Sequence, residues 1–241
     1  MAHSHTPIPG TAYLNLGIVA HSARSGEAKA LAKTVHAEFI SLDDGWLGCD
    51  DNHEAVQLHL ANMPTEWSVI LEDDALPVQG FRNQLKAALA VSPTPIVSLY
   101  LGQKRPPHWQ GRIKKALAKA DQACWIQSTH LLHAVGYAIR TPLVPSLLAH
   151  QSTLPVDQHI TQWARTHNHP IAYTHPSLVD HKDLPTLVDH PDGQARTAGR
   201  VAWTVGTRTE WTSQTVTMGN PNALASVRQH PARHSHVRPH R

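Results

Sequence analysis

Three carboxylates in a row, Glu72-Asp73-Asp74, follow the apolar run Trp67-Ser68-Val69-Ile70-Leu71 and precede Ala75-Leu76-Pro77. Carboxylates held together at the tip of a buried strand repel one another and lose hydration unless a cation or a hydrogen-bonded ligand lies among them, so the pattern points to a hard divalent ion. Out of context, a Glu-Asp-Asp run is more often a solvated acidic turn. Here it closes the third hydrophobic run of a strand-helix alternation, and the carboxyl ends of strands are where open α/β sheets bind ligands. Later in the chain two Asp-His dipeptides, Asp180-His181 and Asp189-His190, each offer an imidazole to an oxygen-rich site suited to Mn²⁺ or Mg²⁺. In a chain with 20 histidines a single one is usually filler, so the argument rests on the combination.

The elements that must position these groups follow from hydrophobic periodicity. Tyr13–Ala20 reads as a buried strand, His21–Gly26 as a turn, and the residues to about Val35 as a helix. Glu38–Leu42 is a second strand ending in Asp43-Asp44. Asn52–Asn62 follows as an amphipathic helix with Val56, Leu60 and Met63 on one face. After the acidic strand come a helix over Gly80–Val91, a strand over Pro95–Leu101 and a polar loop from Gly102 to Gly111. A basic helix is expected over Arg112–Asp121, strands at Cys124–Gln127 and Ala134–Ile139, and a helix capped by Thr141 ahead of Pro142. A short helix from Pro155 to His167 and a strand at Pro170–Tyr173 complete the regular part. The alternation predicts an α/β domain with a mostly parallel central sheet. The segment Ser177–Asp183 is echoed by Thr186–Asp192, a single pair and too little for a repeat architecture.

A length of 241 residues suits one sizeable domain, divided here into a flexible amino terminus (1–12), the α/β domain (13–207) and an extended or disordered basic tail (208–241). The tail alternates Arg228, Arg233, Arg238 and Arg241 with histidines, and it can neutralise phosphates or simply be solvated. The net charge of +3 is mild. Cys49 and Cys124 form neither a metal-type spacing nor a disulfide framework, which fits a reducing compartment. The amino-terminal residues lack a signal-peptide pattern, and no apolar run reaches a membrane-spanning length, so a cytoplasmic protein without a membrane span is expected. The sequence also lacks a zinc-protease helix, a phosphate-binding Walker loop, a dinucleotide Gly-x-Gly-x-x-Gly turn and a Gly-x-Ser-x-Gly elbow.

The order of strand, turn and helix, then Leu71-Glu72-Asp73-Asp74-Ala75, Gly136-Tyr137-Ala138-Ile139, Pro155-Val156-Asp157 and Pro176-Ser177-Leu178-Val179-Asp180-His181 resembles GT-A glycosyltransferases. It is similar in particular to the family of lipopolysaccharide-type and collagen galactosyltransferases, with small bacteriophage members. The likeness runs from about Leu14 to His181 and implies a single GT-A-like, Rossmann-like domain. It further implies that Asp74 and His181 bind the metal that bridges a sugar-nucleotide diphosphate, and that Glu72 or Asp73 holds the ribose or sugar. His21, Arg24 and Asp43 would contribute to the donor site. Asp157 would take the proton of the acceptor hydroxyl; its alternative role is helix capping. The turn His21-Ser22-Ala23-Arg24 is less basic than the family's segment, and the acidic strand end lacks a strict Asp-x-Asp.

The expectation is therefore a metal-dependent, inverting hexosyltransferase using Mn²⁺ or Mg²⁺ and a nucleotide sugar, a UDP-sugar by preference. Its acceptor would be a hydroxylated base of phage DNA, a protein or a glycan. The competing expectations are a non-catalytic nucleic-acid binder, using Lys104-Arg105 and the tail, and a metal-dependent nuclease or phosphotransferase.

Overall fold

The computed structural model describes residues 11–182, 184 and 199–219. Among the described residues ten strands and six α-helices follow one another along the chain. They are β1 (Leu14–His21), α1 (Ser25–Val35), β2 (Phe39–Asp43), α2 (Gly48–Ala61), β3 (Trp67–Glu72), β4 (Ala75–Pro77), α3 (Phe81–Ala90) and β5 (Ile96–Ser98). After these come α4 (Pro107–Leu117), β6 (Trp125–Ser128), β7 (Gly136–Arg140), α5 (Val144–Leu148), α6 (Val156–Thr166), β8 (Ile171–Thr174), β9 (Val179–His181) and β10 (Thr215–Thr217). Eight strands form one sheet in the order β10-β6-β8-β5-β7-β3-β1-β2, while β4 and β9 form a separate two-stranded ladder. Parallel pairings join β1 to β2, β1 to β3, β5 to β8 and β6 to β10. The pairings of β3 with β7, β5 with β7 and β6 with β8 are antiparallel. The architecture is a mixed α/β sheet, mostly parallel, of a Rossmann-like kind.

Alternation along the strands splits the core into two layers. Leu14, Leu16, Ile18 and Ala20 of β1 and Trp67, Val69 and Leu71 of β3 pack with α1 and α3 on one face. Val19 and Ile70 pack with α2, α4, α5 and α6 on the other. Helix α2 lies close against β1 at Gly17, where a Cβ would stand 2.4 Å from Val56 Cγ1, so only glycine fits. The chain leaves β1 through α1 on one face to reach β2, then returns through α2 on the other face to β3, on the far side of β1. The connections thus diverge between β1 and β3, which opens a crevice at the carboxyl ends of these two strands.

Four expectations need correction. Helix α2 begins at Gly48, four residues ahead of the expected start, so Cys49, Asp50 and Asp51 belong to its first turn. Helix α4 begins at Pro107, within the expected loop, because Pro at the first turn suits a helix start and Trp109 is buried against the sheet. Thr141 caps nothing. Its hydroxyl is buried and meets Ser68 Oγ at 3.1 Å, and a short 3-10 turn (Thr141–Leu143) leads into α5. The boundary expected at residue 207 also falls too early: β10 adds a parallel edge strand to β6, and Trp211 and Met218 are buried. No described helix is long and apolar enough to cross a membrane.

Trp211 packs on Trp125, with ring centroids 5.6 Å apart, and donates its Nε1–H to Gln84 Oε1 at 2.8 Å. Trp211→Ala is therefore expected to cost about 3–5 kcal/mol, the range for a buried large-to-small change. Trp46 is 90% exposed, and Trp46→Ala should stay within about 0.5 kcal/mol of wild type. Equilibrium denaturation of both variants measures the contrast; equal effects would mean that the segment after residue 207 adds nothing to the domain.

Candidate functional site

The turn after β1 and the acidic turn after β3 face each other across the crevice. His21 donates its backbone N–H to Asp73 Oδ2 at 3.0 Å. Its imidazole is engaged locally, Nδ1 accepting from the Ala23 amide at 3.1 Å. Arg24 bridges the two aspartates, its Nη1 donating to Asp73 Oδ1 at 2.9 Å and to Asp74 Oδ2 at 3.2 Å. The β4–β9 ladder sets Ala75 opposite His181, and Lys182 donates its backbone N–H to the Asp74 carbonyl. That ladder brings His181 Nε2 to 3.4 Å from Asp74 Oδ2. Five of the residues singled out in the sequence, His21, Arg24, Asp73, Asp74 and His181, thus meet at one crevice. His190 lies outside the described residues.

Asp74 is nearly buried, and its Oδ1 has no hydrogen-bond partner among the described residues. Burial first, then the charges of Glu72 and Asp73, push its carboxyl up to about 7, against the lowering influence of Arg24 and Arg200. A buried, orphaned carboxylate oxygen beside an imidazole is a position that a hard divalent cation fits.

Glu72 goes the other way. Leu71 packs on the α1 face, so the next residue turns to the α2 face, where His53 Nε2 stands 3.4 Å from Glu72 Oε1. His53 is fully buried; its Nδ1 is 3.1 Å from the Tyr137 hydroxyl, to which Gln57 Nε2 donates at 2.9 Å. Burial alone would raise the Glu72 carboxyl, yet the hydrogen bond and charge of His53, with His181 and His133 beyond, hold it below the ordinary range. Cys49, one helical turn before His53, completes this side. Ligand atoms of Cys49, His53 and Glu72 all lie within 4.8 Å of one another. Glu72, which the resemblance gave to the donor's ribose or sugar, thus meets His53, while Asp73 and Asp74 meet Arg24.

Asp43, expected at the donor site, organises the loop after β2. Its carboxylate accepts from the amides of Leu47 at 2.9 Å and Gly48 at 3.0 Å, and the Leu47 amide is the main cause that keeps its pKa low. Asp157 lies in the first turn of α6, not at the cap; Asp50 of α2 accepts the Val156 amide at 2.8 Å instead. Burial, joined by the charges of Glu72 and Asp50 and opposed by the Gln158 amide, pushes the Asp157 carboxyl up to about 6. Beside it, Asp50, Asp51, Glu54, Gln57, Ser152, Thr153 and His159 line a cleft of about 130 Å³.

Sequence reasoning missed Cys49, His53, Tyr137, Gln57 and His133. The first two carried a usable signal, Cys-x-x-x-His, which places both on one helical face. His133 carried none: it precedes β7, is half-buried, and desolvation lowers its pKa to about 4.

The raised Asp74 carboxyl has a consequence for stability. A folded-state pKa above that of the unfolded chain favours the fold below the unfolded value, and this contribution is lost as pH rises through about 7. In the presence of a chelator, Asp74→Asn should therefore be more stable than wild type at pH 8, by about 1–3 kcal/mol, with the gap closing towards pH 4. Denaturation at several pH values measures it. A less stable variant at pH 8 would mean that the contacts of Asp74 with Arg24 and His181 outweigh the cost of burying its charge.

No family model matches the chain, and no curated protein matches it. Among solved structures, A197 from STIV aligns with a TM-score of 0.40 and 10% identity, over 80% of this chain and 95% of that one.

Proposed function

We propose that the chain is a metal-dependent, inverting glycosyltransferase that moves a hexose from a nucleotide sugar to an acceptor hydroxyl. The observation that carries this reading is the paired Asp73 and Asp74 at the crevice between β1 and β3, with one buried Asp74 oxygen left without a partner among the described residues. Asp74 and His181 would hold a Mn²⁺ or Mg²⁺ ion, with Asp73 beside them. When bound, such an ion neutralises charge that develops on a departing nucleoside diphosphate. Arg24 keeps the two aspartates together and adds a fixed cation on the side from which the phosphates approach.

Asp157 supplies the base. With its carboxyl near 6 it is ionised at neutral pH yet basic enough to accept a proton, the compromise that general-base catalysis favours. The acceptor oxygen attacks the anomeric carbon, the bond from that carbon to the diphosphate oxygen breaks, and the hydroxyl proton passes to Asp157. The acidic cleft beside Asp157 is smaller than the roughly 300–1,000 Å³ of typical small-molecule sites, so it suits one part of an acceptor. Its carboxylates and hydroxyls hydrogen-bond a polyol and repel phosphate, which favours a glycan-like acceptor over DNA.

The test is a panel of nucleoside diphosphates and their sugars with and without Mn²⁺. UDP should raise the melting temperature in Mn²⁺, and Asp74→Asn should lose that effect. Stabilisation by UDP of equal size in chelator would assign diphosphate neutralisation to Arg24 alone. Asp157→Asn should keep donor binding and lower turnover by at least about 100-fold. Wild-type turnover should rise with pH through about 6 and then level, as the Asp157 carboxylate forms. A flat profile, or an unaffected variant, would remove Asp157 from the chemistry.

A further inference from the structure

We propose that Cys49, His53 and Glu72 form a zinc site on the α2 face of β3, with a ligand set distinct from that of the hard-cation site at Asp74. The ligand set mixes a thiol, an imidazole and a carboxylate, which is the chemistry that selects Zn²⁺ over Mg²⁺ or Mn²⁺. Helix α2 presents Cys49 and His53 four residues apart on one face, and β3 ends with Glu72 turned towards them. The three donor atoms lie within 4.8 Å of one another. His53 and Glu72, at 3.4 Å, already have the separation of two ligands on a tetrahedral zinc, about 3.3–3.8 Å. Cys49 is exposed on the first turn of α2, so its side chain is free to rotate inward by the remaining distance.

One further observation favours a cation here, the support behind the imidazole. Metal-bound histidines have their other ring nitrogen tied to a polar group, which fixes the tautomer. Here that group is the Tyr137 hydroxyl, 3.1 Å from Nδ1 and itself backed by Gln57. A half-turn of the Gln57 amide reverses the chain of hydrogen bonds. Tyr137 O–H then donates to Gln57 Oε1, His53 Nδ1–H donates to Tyr137, and the Nε2 lone pair faces the metal. With three protein ligands the zinc keeps its fourth position for water, on the solvent-exposed side of Cys49.

The experiment uses the full chain, reduced and stripped of metal, titrated with Co²⁺ as a spectroscopic probe and then with Zn²⁺. Wild type should develop a thiolate charge-transfer band in the near ultraviolet as Co²⁺ binds, and Zn²⁺ should abolish the band. Cys49→Ser changes an exposed residue and should fold normally while losing the band, and Glu72→Gln should weaken Co²⁺ binding at least tenfold. Asp74→Asn should keep the band. Conversely, Cys49→Ser should keep Mn²⁺-dependent UDP binding if the preceding proposal holds, so the two readings fail separately. No thiolate band in wild type, or a band that survives in Cys49→Ser, would overturn the site.

Discussion

Like charge at the end of a buried strand is the constraint around which this molecule is arranged. Two carboxylates about 4 Å apart repel by roughly 4 kcal/mol at the effective dielectric of a protein surface, and here three follow one another in sequence. Strand geometry separates the first from the other two. Glu72 turns to the α2 face and meets His53, while Asp73 and Asp74 turn towards Arg24. Each group is then held by a counter-charge or a hydrogen bond from another element: the turn after β1, helix α2, and β9 through His181. The acidic turn is therefore a junction that ties together parts of the chain far apart in sequence.

The compensation is incomplete at one point. Asp74 lies against a guanidinium and an imidazole, yet its second oxygen has no partner among the described residues and burial pushes its carboxyl up to about 7. A fold selected for stability alone would place an amide there. Local departures from full hydrogen-bond satisfaction concentrate at functional sites, and this one sits where the chain connections diverge and the sheet opens. The β4–β9 ladder looks minor beside the eight-stranded sheet, but it is what fixes His181 beside Asp74.

Much of the sheet was legible in the sequence because the strands are short apolar runs bounded by turn residues, and β1, β2, β3, β7 and β8 fall within a residue or two of their expected limits. The meeting of Arg24 with Asp73 and Asp74 was legible only as a shared location, since strand ends reveal an edge and not a hydrogen-bond partner. The helix starts were less readable. Gly48 and Pro107 are residues that pattern reading assigns to loops, and the misplaced start of α2 hid Cys49 and Asp50 from the site. The segment after residue 207 has no amphipathic period because it contributes single residues, Trp211 and Met218, to different cores and one edge strand between them. Its packing follows from partners contributed by β6 and α3, which no local pattern encodes.

The two faces of the acidic turn are not independent. Part of the rise in the Asp157 carboxyl comes from the charge of Glu72, and Glu72 stays charged chiefly because His53 hydrogen-bonds it. His53 is in turn oriented by Tyr137, and Tyr137 by Gln57. A buried row, His53 and Gln57 of α2 with Tyr137 of β7, thus bears on how basic Asp157 is. Loss of the His53 imidazole would let burial protonate Glu72, which removes a negative neighbour and lowers the Asp157 pKa towards the ordinary carboxylate range. In the reaction proposed above, such a carboxylate would form at lower pH and accept a proton less readily, so His53 would act on it through charge and not through contact.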